Sequence, residues 1–324
     1  MRKIELLPCK APFWANSGHT QTLWGHFLKS PTLSQLGALN KVDLPDGDRL
    51  FCYITEGPSD TVVALFHGLS GDVHSDYMQR TALLCQQLGH TFVLVNHRGA
   101  GEGFLEARHP YHSGRAEDMS AVLGFLRGKF SNKKLIAIGY SMSANILLTL
   151  LGGFRGTHLP DGAIAVNGPI DLGQGSALLK KGLNRIYDMR FVLSLRKLVQ
   201  ERHRLGLSDR YEISPWATIW DFDEIYTAPA SGFKNRADYY AQCSAKNYIP
   251  NIKTPTYVLT AGDDPFVSAE NYLKTEFPKS TQLHIEARGG HMGYLSAQAT
   301  PFGSTRWLDY YLHEALQGLK QTLA

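Results

Sequence analysis

Lys134-Leu135-Ile136-Ala137-Ile138-Gly139-Tyr140-Ser141-Met142-Ser143-Ala144-Asn145-Ile146-Leu147-Leu148-Thr149-Leu150-Leu151 is the stretch on which the reading of this chain turns. Lys134 to Ile138 is a short apolar run, the pattern of a strand buried on both faces. Met142 to Leu151 reads as a helix. Only a tight turn separates them, and Ser141 sits at its tip. A turn that sharp needs small residues two positions before and two positions after its tip. Gly139 meets the first requirement. Ser143 stands where a glycine is usual, with the small Ala144 after it. Such a turn lifts the Ser141 hydroxyl clear of a sheet and aims the helix N-terminus and the Met142 amide at an oxyanion. By itself the pentapeptide also fits a plain strand-to-helix turn that happens to hold a serine.

Three further stretches supply partners. His67-Gly68-Leu69-Ser70-Gly71 directly follows the apolar run Thr61 to Phe66. Its backbone can present the Leu69 N–H as a second oxyanion donor, while the His67 side chain reads as structural. Thr256 to Thr260 leads into Ala261-Gly262-Asp263-Asp264-Pro265, and Thr281 to Glu286 leads into Gly289-Gly290-His291-Met292-Gly293. Each puts its polar residue just past a strand, where open α/β sheets bind ligands. A histidine can take and return the serine proton, and a carboxylate can fix its tautomer. The chain order Ser, Asp, His is that of the α/β-hydrolase fold. The expected triad is Ser141, Asp264 and His291, with the Leu69 and Met142 amides as the oxyanion hole. Asp263 is the alternative acid.

The rest of the chain supplies the scaffold. Strands are expected at Arg49 to Thr55, Thr91 to Asn96 and Gly162 to Asn167, besides those above. Helices are expected at Tyr77 to Leu88, Ala116 to Phe130 and Thr305 to Leu319. The alternation predicts an α/β class with a mostly parallel sheet flanked by helices, in a single domain over 1–324. Residues 1–40 carry no clear periodic element and read as a strap across the core. Residues 170–250 lack a buried-strand pattern and read as a helical lid insertion. Within it, Ser176 to Arg204 is rich in Lys and Arg. That stretch reads either as a solvated face or as a basic surface drawn to anionic head groups.

Of the 324 residues, 43% are hydrophobic and 19% charged, which excludes a disordered chain. A net charge of +4 is too small to mark a nucleic-acid binder. No run approaches the length of a membrane helix, and Met1 to Pro8 has no signal-like apolar core, so a cytoplasmic protein is expected. Cys9, Cys52, Cys85 and Cys243 show no CxxC pair and read as reduced thiols. His74, His97, His109 and His112, with Asp72 and Asp76, have no metal-ligand spacing, so no metal is expected. Asn96 to Gly103 is glycine-rich but does not open a helix as a dinucleotide motif would, so no cofactor is expected either.

With these residues placed, the chain resembles the YheT-like hydrolases, the AB hydrolase 4 family. The shared pieces are His19-Thr20-Gln21-Thr22, His67-Gly68-Leu69-Ser70-Gly71, Asn96-His97-Arg98-Gly99, Gly139-Tyr140-Ser141 with Asn145, the run from Asp238-Tyr239-Tyr240 to Ser244, Asp263-Asp264-Pro265-Phe266 and Gly289-Gly290-His291-Met292-Gly293. They span nearly the whole chain. The chain departs from the family pattern at Ser143 and Ala144, where two glycines are usual. The resemblance implies a carboxylic-ester hydrolase acting on a small ester or an acyl lipid, with the triad on Ser141, Asp264 and His291. Thioester cleavage and acyl transfer would use the same residues. A non-catalytic binding module on this scaffold is the rival from another class; its signature, a lost triad member, is absent.

Overall fold

The computed structural model describes residues 2–324. Eight strands form one sheet: β1 (Ala38–Asp43), β2 (Arg49–Thr55), β3 (Thr61–Phe66), β4 (Thr91–Asn96), β5 (Lys134–Tyr140), β6 (Gly162–Val166), β7 (Thr256–Ala261) and β8 (Thr281–Glu286). Their order is β1-β2-β4-β3-β5-β6-β7-β8. β1 and β2 run antiparallel to their neighbours, and β3 to β8 are parallel. The helices are α1 (Gly18–Phe27), α2 (Asp76–Gln87), α3 (Ala116–Lys129), α4 (Met142–Leu151), α5 (Leu172–Leu179), α6 (Asn184–Arg204), α7 (Ile219–Phe222), α8 (Ala228–Ala230), α9 (Arg236–Cys243), α10 (Ala269–Lys274) and α11 (Trp307–Thr322).

The central strands are buried along their whole length, which is why they read as continuous apolar runs. Side chains still alternate between the two faces. Val62, Ala64 and Phe66 of β3 join the core under α3 and α4, with Met119, Leu123 and Leu147. Val63 and Leu65 join the core under α2 and α11, with Met78, Leu308 and Leu312. The expected fold class is therefore observed, and element ends differ from the sequence reading by a few residues. Among the described residues no helix is long and apolar enough to cross a membrane.

Residues 1–40, which show no periodic element in the sequence, hold α1 and the start of β1. Both elements lack the signal that hydrophobic periodicity relies on. The buried side of α1 is Gly18, Gln21 and Gly25, spaced as a helix face but carrying no apolar side chain. β1 is an edge strand in which only Val42 is buried. Its Leu39 and Lys41 face water, as edge strands tend to.

α1 lies unusually close to the loops after β7 and β8. A Cβ built on Gly18 would stand 1.7 Å from the Asp263 carbonyl oxygen, and one on Gly25 would stand 2.6 Å from Gly293 Cα. Backbone therefore packs on backbone, and only glycine permits it. Between β6 and β7 the chain runs through α5 to α9, with a π-helical turn at Asp223–Thr227. Val192, Leu195 and Val199 of α6 point one helical face into the main core.

These close approaches give a paired prediction. Gly25→Ala should destabilise the fold by about 1–3 kcal/mol, because backbone must move. Gly128→Ala, in α3 with nothing within 4 Å of the added carbon, should stabilise it by about 0.4–1 kcal/mol. Urea midpoints of the two variants check this; equal shifts would refute the packing argument.

Candidate active site

The parallel strands deliver their polar residues to one edge of the sheet. Ser141 follows β5, Asn167 follows β6, Asp263 and Asp264 follow β7, and His291 lies beyond β8. Ser141 has φ 52° and ψ −117°, a strained conformation for a residue with a side chain. Its N–H donates to the Val166 carbonyl at 2.8 Å, tying the turn to the neighbouring strand. A Cβ on Gly139 would meet the Ser143 carbonyl oxygen at 2.4 Å, so position 139 must be glycine.

His291 Nε2 lies 2.9 Å from Ser141 Oγ, and His291 Nδ1 lies 2.8 Å from Asp264 Oδ2. Asp264 and His291 are almost wholly shielded from water. The Asp264 carboxylate is saturated with donors. Oδ2 also accepts from Asn167 Nδ2 at 2.7 Å, and Oδ1 accepts from the Phe266 and Val267 amides at 3.1 and 3.0 Å. The structure thus brings Ser141, Asp264 and His291 together. Asp263 points elsewhere: its Oδ1 accepts from the Gly289 and Gly290 amides, both at 2.9 Å. It shapes the loop that carries His291.

The loop after β3 lies against the serine. A Cβ on Gly68 would be 3.1 Å from Ser141 Cβ. Two phenols grip this loop. The Gly68 N–H donates to Tyr77 at 2.9 Å, and the Ser70 N–H donates to Tyr111 at 3.0 Å. The Leu69 N–H between them, and the Met142 N–H at the first position of α4, have no acceptor within the described residues. The His67 side chain is structural: Nδ1–H donates to the Gly68 carbonyl at 2.8 Å, and Nε2 accepts from the His97 N–H at 3.2 Å. Burial, then the neighbouring His97, push its pKa well below the usual value, so the ring is neutral.

Ser143, the departure from the usual glycine, has its own task. Its hydroxyl donates to the His67 carbonyl and lies 2.7 Å from His97 Nε2. The extra side chain is fully buried and ties the elbow to the loop after β3. Asn167 carries no sequence motif. It has φ 49°, holds Asp264 as described, and accepts from the Tyr294 hydroxyl at 2.8 Å. A lone asparagine at a strand end carries no motif, and the following Gly168-Pro169 was its only signal. Thr22 belongs to the His19-Thr20-Gln21-Thr22 element. Its Oγ1 accepts the His291 N–H at 2.8 Å, and Gln21 bonds both the carbonyl and the N–H of Leu295. α1 therefore braces the histidine loop.

An apolar cavity opens beside Ser141, with about 1080 Å³ of empty space, its mouth included. Leu69, Ser141 and Met142 form one wall, and Leu179, Phe191, Leu195 and Phe222 from the inserted helices form another. The Phe266 ring, also in the lining, sits 4.1 Å from the His291 ring centroid. Asp223 is the one carboxylate in the lining. Burial pushes its carboxyl up to about 6, although hydrogen bonds from Thr227 and Tyr240 pull the other way.

Asp46, Asp48 and His109 lie close enough together to share a cation. Both carboxylates already face Arg98, whose Nη1 is 2.7 Å from Asp46 and 2.5 Å from Asp48. The chemistry of the serine, histidine and carboxylate needs no metal or cofactor.

The raised Asp223 carboxyl sets a pH dependence. Between about pH 4, where an unfolded carboxyl ionises, and about pH 6 the folded state holds a proton that the unfolded chain has released. Stability therefore falls as pH rises through this window. Relative to Asp223→Asn, the natural chain should gain of the order of 3 kcal/mol between pH 7.5 and pH 4. Urea unfolding of both proteins at the two pH values measures it; a constant difference would show an ordinary carboxylate.

Comparison with known proteins adds independent findings. Residues 61–298 match the family model described as the alpha/beta hydrolase fold. The chain is 31% identical over 281 residues to the YheT protein of Escherichia coli (strain K12), covering 83% of this chain and 81% of that one. It is 27% identical over 302 residues to the phospholipase ABHD3 of Homo sapiens, covering 87% of this chain and 72% of that one. Among solved structures it is similar to an esterase of Pyrococcus furiosus, with TM-score 0.61 and 17% identity over 91% of this chain and 96% of that one. At that identity the likeness is one of fold.

Proposed function

The chain belongs to the α/β-hydrolase family, in its YheT-like branch, and is a carboxylic-ester hydrolase; we propose that it works through an acyl-enzyme formed on Ser141. The observation that carries this reading is the unbroken hydrogen-bond run from Ser141 Oγ through His291 to Asp264 at the mouth of an apolar cavity.

Ser141 Oγ attacks the ester carbonyl carbon while its proton passes to His291 Nε2. Asp264 holds Nδ1–H toward itself and stabilises the imidazolium that results. The carbonyl oxygen becomes an oxyanion and takes the free Leu69 and Met142 amides as donors. Collapse breaks the bond to the alcohol oxygen, which leaves with the proton from His291. Water then attacks the acyl-enzyme by the same route, with His291 as base, and releases the acid and the free serine. The preformed strain at Ser141 keeps Oγ in the attacking position, so little reorganisation is needed.

The acyl group fits the cavity under α5 to α9, and we read that insertion as a lid over the strand ends. Residues 1–40 act as a strap whose α1 sets the position of His291. Short- to medium-chain acyl esters match the apolar lining, and acyl lipids are the natural extension of that class.

A fluorophosphonate probe should label the folded protein at Ser141, and Ser141→Ala should abolish labelling. Absence of label on the folded natural chain would instead favour a non-catalytic module. Asp264→Asn should lower kcat by roughly 10⁴-fold, as loss of an orienting carboxylate does. Asp263→Asn should cost much less, because it only loosens the loop; the reverse order would reassign the acid. With p-nitrophenyl esters, kcat/KM should rise from acetate to medium chains. A sharp preference for acetate would contradict the acyl-cavity reading.

A further inference from the structure

α6 is apolar on two sides. Val192, Leu195 and Val199 face the core. Leu183, Ile186, Met189 and Leu193 remain 63, 59, 40 and 45% exposed, and their spacing of three to four residues gathers them on one outward stripe. α1 carries a second such face. Leu23, Trp24 and Phe27 are 39, 46 and 64% exposed, and Phe13, just before the helix, is 93% exposed.

The two stripes adjoin. Arg190 Nη2 donates to His26 Nε2 at 2.9 Å, and the rings of His19 and Tyr187 stack at 5.7 Å. Arg190 lies one helical turn from Ile186 and from Leu193, and His26 lies beside Phe27. Apolar stripes on two adjoining helices are uncommon on a free monomer and mark a contact.

Charge selects what the patch contacts. Lys29, Lys181, Arg190 and Lys197 are exposed around it. No Asp or Glu lies between Glu5 and Asp43. Asp188, the one acid in residues 180–200, is buried and paired with Arg185. A second copy of the same face would set like charges against one another. The nearby acid Asp76 is paired with Arg80, and aromatic and aliphatic side chains beside exposed basic ones instead match a bilayer with anionic head groups.

We propose that α1 and α6 together dock this enzyme on an anionic phospholipid surface. The position suits the site. On the inner side of α6, Phe191 lines the cavity and the Tyr187 ring lies 5.4 Å from Phe266, which touches His291. Docking would therefore hold the cavity beside acyl chains. That last advantage rests on the ester-hydrolase reading; the docking itself does not.

Flotation with vesicles of phosphatidylcholine and phosphatidylglycerol, against phosphatidylcholine alone, tests the proposal. The protein should float with the anionic vesicles, and binding should fall as salt rises. Ser141→Ala should float equally well, which separates docking from catalysis. Phe27→Ser with Ile186→Ser, and separately Lys181→Glu with Lys197→Glu, should each reduce the bound fraction at least tenfold. Neither pair should change turnover of soluble p-nitrophenyl butyrate. No flotation of the natural chain, or unaltered flotation of both double variants, would overturn the proposal. So would a concentration-dependent dimer that the apolar double variant abolishes, since a second copy would then cover the patch.

Discussion

The turn at Ser141 is the constraint around which the rest of the site is arranged. A residue with a side chain is held at φ 52° and ψ −117°, a conformation worth of order 1–3 kcal/mol of strain. It persists because its surroundings leave no alternative. β5 and α4 fix the two ends, the Ser141 amide is bonded across to β6, and Gly139 leaves room for the returning chain. The replacement of a glycine by Ser143 does not relax this geometry. Its hydroxyl adds a bond to the His67 carbonyl, so the elbow and the loop that faces it move as one body.

The same rigidity extends to Asp264 and His291. Asp264 accepts four hydrogen bonds, from His291, Asn167 and two backbone amides, and can orient in only one way. Asp263 beside it is tied to the next loop through one oxygen. Two adjacent aspartates thus divide the work: one meets the histidine and the other holds the histidine's loop. α1 closes the arrangement from outside, through Thr22 on the His291 amide and Gln21 on Leu295. This is the physical content of the N-terminal His19-Thr20-Gln21-Thr22 element. Thr22 and Gln21 brace, and His19 meets Tyr187 on the inserted helix.

The inserted helices serve two environments at once. Their inner sides line an apolar cavity beside the serine, while the outer side of α6 carries an apolar stripe with basic neighbours. The basic stretch within residues 170–250 reads from sequence as either a solvated face or a lipid-seeking one. Folded, its charges divide: Arg185 pairs with Asp188, Lys180 lies 4.1 Å over the Trp220 ring, and Arg202 donates to the Ala107 and Arg108 carbonyls. The residues left for an outer surface are fewer than the sequence count, and they stand beside aromatics from a segment more than 150 residues away in the chain.

Sequence alone determined the central strands, because strands buried on both faces must be apolar throughout, and it pointed to Ser141, because only a small-residue turn permits that backbone. It also placed Asp264 and His291 past β7 and β8, where they lie. Local pattern could not decide between Asp263 and Asp264, since neighbours in a loop look alike until the fold aims them. It could not show α1, whose buried face is Gly18, Gln21 and Gly25 and therefore has no hydrophobic period. Nor could it reveal Asn167, Tyr77 or Tyr111, each a single polar residue that gains meaning from a partner distant in sequence. Those choices belong to the tertiary structure, because a hydrogen bond is set by distance and direction in space, and the chain order records neither.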